Sequence, residues 1–147
     1  MAAADLAAPI RTAIIGAAAV TAELAAYKGS YPVFTRMPVP EDAPYPLILV
    51  SPPADMGNYD GVDDERPILV RNLMVYGRND TPEHYRQVET IAFALKDIFH
   101  RAWRSISVSG WKVVSIVATD PNAAPVDNDA DEVGRRVELT VTLAKPN

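Results

Sequence analysis

The chain has 147 residues, with 14 Lys+Arg against 19 Asp+Glu, a net charge of −5 and no cysteine. A chain of this size is most simply one domain, residues 1–147, burying about 68–70% of its unfolded surface. The acidic balance argues against gripping a phosphate backbone. The lack of cysteine excludes disulfides, thiolate nucleophiles and cysteine-based zinc sites, and no apolar run approaches the ~18–20 residues of a membrane span.

The N-terminus is alanine-rich but has no basic run and carries Asp5, Pro9 and Arg11, which makes a poor signal peptide. Asp5 to Tyr27 reads as helix in two pieces. Asp5 can cap, Pro9 is tolerated near a helix start, and Leu6, Ile10, Ile14 and Ile15 form a narrow apolar stripe. Gly16 weakens the middle, and Thr21-Ala-Glu-Leu24 can begin a second short turn. Lys28 to Pro32 is a turn and Val33 to Arg36 a short extended segment. Met37 to Pro46 holds four prolines, so it is an extended connection poor in hydrogen bonds. Leu47 to Val50 is a buried strand, and Ala54 to Arg66 a polar loop rich in aspartate.

The chain is organised around Asn72 to Phe99, with the strand itself beginning near Ile68. Val70, Met74 and Tyr76, with Asn72, fall on one face of that strand. Leu69, Leu73 and Val75, with Arg71, fall on the other. Both faces are largely apolar, so a central strand covered on both sides is expected, with partners required for Arg71 and Asn72. After a polar turn, Thr81 is the expected N-cap and Pro82 the first helical residue. The helix shows Val88, Ile91, Ala92, Leu95, Ile98 and Phe99 at threes and fours, while Phe93 lies about 150° from the centre of that stripe. Trp111 to Ala118 is a further strand, with Val113, Val114, Ile116 and Val117 suggesting burial on both faces. Thr119 to Val133 reads as an acidic loop without apolar periodicity, mobile or ordered by a partner. Arg135 to Ala144 alternates cleanly, with Val137, Leu139, Val141 and Leu143 inward, and should pair antiparallel with the preceding strand. The fold class expected is α+β: a mostly antiparallel sheet of four or five strands, with the long central helix and the N-terminal helices packed on it.

No constellation of residues carries catalysis, metal or cofactor chemistry. Asp127, Asp129, Asp131 and Glu138 match positions 1, 3, 5 and 12 of a calcium loop, but Glu132 stands where that loop turns on glycine and no helices flank it. A solvated acidic hairpin is the simpler reading. His84 and His100 sit near the two ends of the long helix, and a metal site built on them would need carboxylates from elsewhere. Ser51, Ser105, Ser107 and Ser109 lack a nucleophile-elbow context, and no glycine-rich phosphate loop occurs. An enzyme is therefore not expected. The better lead is apolar exposure: Phe93 on the polar side of the helix, Met56 and Tyr59 in a loop, and Trp103 in a linker, all of types favoured at subunit interfaces.

The segments VFTRMPVPEDAPYPLILV (Val33–Val50) and VRNLMVYGRNDTPEHYRQVETIAFALKDIF (Val70–Phe99), with a helix pair before them and two closing strands after, resemble the tail-terminator proteins of long-tailed bacteriophages, also called tail-completion or head–tail joining proteins. The resemblance runs over nearly the whole chain. It is carried by Ala43-Pro-Tyr-Pro46 before a buried strand, and by a strand ending in an aromatic residue before a polar turn and helix. It implies a virion subunit assembled in the host cytoplasm into a ring, usually a hexamer. That ring caps the tail tube at its head-proximal end and joins it to the head-completion or connector protein, without catalysis, cofactor or membrane contact. A head-side connector or neck protein and a tail-tube subunit are the alternative readings, and a small-ligand module a more distant one. The resemblance transfers no functional residues. Phe93, Met56, Tyr59, Arg86 and Glu89 are the candidate subunit interface read from the residues. Asp60, Asp63, Asp64, Asp127, Asp129 and Asp131 are candidates for a channel or docking surface, past which DNA would slide without specific binding.

Overall fold

Two long strands, β3 (Ile68–Arg78) and β6 (Glu132–Ala144), form the spine of the computed structural model, which describes residues 5–51, 67–126 and 131–146. They pair antiparallel over eleven positions, from Ile68 opposite Thr142 to Arg78 opposite Glu132. β2 (Leu47–Val50) joins the far side of β3, and β1 (Val33–Phe34) lies outside β2. On the far side of β6 lie β4 (Lys112–Ala118) and the short β5 (Asn122–Ala123). The expected α+β class holds. Among the described residues the sheet has six strands rather than four or five, and β1 runs parallel to β2 while the other pairings are antiparallel.

Helices α1 (Ala7–Ile15), α2 (Ala18–Thr21) and α3 (Pro82–Phe99) share a core with one face of this sheet. α1 follows its stripe: Leu6, Ile10 and Ile14 are buried, and Asp5 Oδ1 accepts the Ala7 N–H at 3.1 Å. Gly16 ends α1 outright, so the second helical piece begins three residues before Thr21 and ends there. In α3, Val88, Ile91, Ala92, Leu95 and Phe99 are buried and Ile98 is half-buried. Each large buried member contributes about 1.5–3 kcal/mol. Pro82 opens α3 as expected, and Thr81 takes the N-cap position with extended backbone, but its side chain makes no capping bond. The Thr81 hydroxyl turns instead to the carboxylate of Asp80.

The expectation of a strand covered on both sides is corrected. β3 alternates: Leu69, Arg71, Leu73 and Val75 are buried under the helices, whereas Ile68, Val70, Asn72, Met74 and Tyr76 are half-buried. β6 alternates in step, with Val137, Leu139, Val141 and Leu143 fully buried. Arg71 is 4% exposed and donates to its neighbour's carbonyl, Val70 O, at 2.8 Å. Asn72 is tied through its backbone, its N–H donating to Ser51 Oγ and its carbonyl accepting the Ser51 N–H, while its side-chain Oδ1 has no hydrogen-bond partner. β4 is likewise not buried on both faces. A bulge between Val113 and Ser115 turns Val114 outward, and Val117 is 50% exposed. Within the expected loop Thr119–Val133, described residues 122–125 are tied to the sheet. β5 pairs with Arg135 and Arg136, and Pro125 O accepts the Tyr76 hydroxyl at 2.9 Å. β6 also starts three residues earlier than the alternation indicated.

Two glycines let these elements close up. A Cβ on Gly77 would lie 2.8 Å from His84 Cβ and 2.9 Å from Val88 Cγ2, and one on Gly134 would lie 2.8 Å from the Tyr76 ring. The first brings the end of β3 against the start of α3, and the second seats Tyr76 across the β3–β6 ladder.

Both edges of the sheet are partly closed. At β1, Val33 N–H donates to Tyr31 O at 2.8 Å, and Val33 O accepts Arg11 Nε at 2.9 Å. At β4, Ile116 O accepts the Arg101 N–H at 2.8 Å, and Ala118 N–H donates to His100 Nδ1 at 3.1 Å.

Candidate functional site

The outer face of α3 carries part of the predicted interface. Phe93 is 52% exposed, between Thr90 and Asp97, which are also exposed. Arg86 and Glu89 are engaged within the fold: Arg86 meets Glu23 at 3.3 Å, and Glu89 pairs with Arg135 of β6. Their first role is therefore to bind α3 to the loop after α2 and to the sheet. Lys96 pairs with Asp120 and holds that carboxyl below its usual range, chiefly by hydrogen bonding. Met56, Tyr59, Asp60, Asp63, Asp64, Asp127 and Asp129 lie outside the described residues.

Asp131 is described, and it belongs to a corner. It adopts φ 56° at the entry to β6, a left-handed conformation that aspartate tolerates better than most residues. Asn79 of the β3–α3 turn donates to it twice, from its backbone N–H to Asp131 O at 2.8 Å and from Nδ2 to Oδ1 at 3.1 Å. Asp80, Glu83 and Asp131 are exposed at this corner. Glu132 beside them accepts the Tyr45 hydroxyl at 2.8 Å, and Arg78 stacks 4.9 Å from the centre of the Tyr45 ring. Burial, with Glu132 adding to it, pushes the Tyr76 phenol up, so the group acts as a hydrogen-bond donor.

The two histidines are not bystanders at the helix ends. His84 Nδ1 accepts the Arg78 N–H at 2.9 Å at the start of α3, and His100 Nδ1 accepts the Ala118 N–H at 3.1 Å beyond its end. Each clamps the helix to a strand, and each must be unprotonated at Nδ1 to do so. Among the described residues, no group of three or more His, Asp or Glu could hold a metal ion. No described helix is long and apolar enough to cross a membrane.

Two clefts carry positive charge. The larger, about 400 Å³, lies at the β1 edge and is lined by Arg11, Lys28 and Arg36 among aromatic side chains. It is partly neutralised, because Asp42 meets Lys28 at 3.8 Å and accepts the Tyr27 hydroxyl. The second, about 280 Å³, lies where the chain enters β4 and is lined by Trp103, Arg104, Ile106, Val108, Trp111 and Lys112. Trp103 is 45% exposed, with the Arg104 guanidinium 4.5 Å from its ring centre. Trp111 packs against the core from below. Trp103 was legible in the sequence as an exposed aromatic. The cationic cluster around it has a sequence signal too, since no Asp or Glu occurs from Ile98 through Thr119.

No model of a known protein family matches the chain. No curated protein sequence matches it. In fold, the chain is similar to a chain of a solved structure described as the virion of a native gene transfer agent particle. The TM-score is 0.64 and the identity 18%, over 97% of this chain and 95% of that one.

Proposed function

We propose that this protein is a structural subunit of a phage-like virion. In this reading it closes the end of a tail tube as a ring, usually of six copies, and joins that tube to the connector on the head. The observation that carries the reading is the end-to-end likeness of fold to a chain of a gene transfer agent virion. The net charge of −5 suits a ring through which DNA must slide without being held. The exposed Phe93 offers an apolar contact for a neighbouring subunit or tube protein.

Electron microscopy of the protein mixed with purified tail tubes tests the reading. A single disc at one end of each tube is the expected result. Long tubes formed by the protein alone would make it a tube subunit. Binding to a portal–adaptor complex, with tube ends left bare, would make it a head-side connector. Neutralising Asp127, Asp129 and Asp131 together should impair either tail joining or DNA passage; if both survive, that loop has neither a lumen nor a docking role.

A further inference from the structure

We propose that copies of this chain associate head to tail, the acidic corner of one seated in the tryptophan cleft of the next. The two surfaces lie at opposite ends of the same strand. Glu132, beside the corner, begins β6, and Ala144, opposite Lys112 of the cleft, ends it. Thirteen extended residues separate the two by about 40 Å. The cleft carries Arg104 and Lys112, both exposed, and no carboxylate lines it among the described residues. The corner end exposes Asp80, Glu83 and Asp131, while Arg78 there is engaged on the Tyr45 ring.

Opposite charges on different surfaces of one subunit make a heterologous contact, which closes into a ring when the rotation per subunit allows it. The chemistry of the cleft suits a protein partner. Trp103 and Trp111 give a rigid apolar floor of the kind that anchors interfaces. Arg104, stacked on Trp103, is held ready to pair with a carboxylate. The β1-edge cleft is the weaker receiver because Asp42 already meets its lysine. This contact names how the proposed ring would close, and to that extent it rests on the ring reading.

Sedimentation velocity of the full chain over a wide concentration range, at low and high salt, tests the contact. The wild type should associate at low salt and dissociate as salt rises, because exposed charges are screened. A cleft variant (Trp103→Ala with Arg104→Gln, and Arg104→Gln alone as the milder form) should weaken association roughly tenfold or more. A corner variant (Asp80→Asn, Glu83→Gln and Asp131→Asn together) should do the same. Melting temperatures should stay close to wild type in both. An equimolar mixture of the two variants should form one-to-one pairs and nothing larger, since one supplies an intact corner and the other an intact cleft.

A wild type that is monomeric throughout, or association indifferent to both variants, would overturn the proposal. So would a cleft variant that melts early while associating normally, since the chain's own acidic segment would then fill the cleft. A permanently monomeric chain that binds a polyglutamate peptide through Trp103 would assign the cleft to another protein. Tube capping is scored separately by microscopy. Discs formed by protein whose association ignores both variants leave the ring reading standing without this contact. Bare tube ends with head-to-tail pairing intact do the reverse.

Discussion

The two ends of α3 are fastened by the same device in different surroundings. At the start, His84 Nδ1 holds the N–H of Arg78, an exposed residue. At the finish, His100 Nδ1 holds the N–H of Ala118, a buried one. An N–H that can turn to water loses little when its acceptor is removed, whereas a buried one left unpaired carries the full cost of its lost hydration. The first end is also closely packed through Gly77 and carries the exposed Asp80 and Glu83. The histidine bond therefore counts for more where α3 meets β4 than where it follows β3, although the two bonds look alike.

The largest effect should come between the two ends. Leu95 is fully buried, and Leu95→Ala should cost about 2–5 kcal/mol, read as a lower urea midpoint at unchanged slope. Next comes Gly77→Ala, whose new methyl would press on His84 Cβ, an atom fixed by its own backbone. A loss of about 1–3 kcal/mol is expected, and a silent substitution would show that the first end yields easily. His100→Ala should cost about 1–3 kcal/mol, and His84→Ala less, about 0.5–1.5 kcal/mol. Equal losses at the two positions would break the comparison. The corresponding asparagine variants, which keep an acceptor, should recover part of each loss. Phe93→Glu, on the outer face, should change stability by less than about 0.5 kcal/mol yet reduce tube-end binding; loss of folding would place Phe93 in the core.

Much of this arrangement was readable from spacing. The stripe from Val88 to Phe99, the alternation from Val137 to Leu143 and the break at Gly16 all follow from periods that burial imposes. Three features were not readable, and each depends on a neighbour distant in sequence. The bulge that turns Val114 outward arises in pairing with β6. The half-open second face of β3 depends on the helices sharing one side of the sheet. The roles of His84 and His100 depend on N–H groups six and eighteen residues away. Of the interface residues expected from sequence, Phe93 is exposed as its helical angle indicated. Arg86 and Glu89 are engaged by Glu23 and Arg135, partners that no local pattern announces.

The partly closed strand edges bear on how the folded chain can associate. Open strand edges template pairing with further chains and so favour fibres. Here, Arg11 occupies the outward carbonyl of Val33, and His100 with Arg101 occupies outward groups of Ala118 and Ile116. Growth by strand addition is discouraged at both borders of the sheet. Association would then rest on matching of side-chain surfaces, which for a head-to-tail contact ends only where the rotation closes a ring. In an assembly of the kind proposed, the number of copies would be set by the angle between side-chain surfaces and not by the length of an open strand edge.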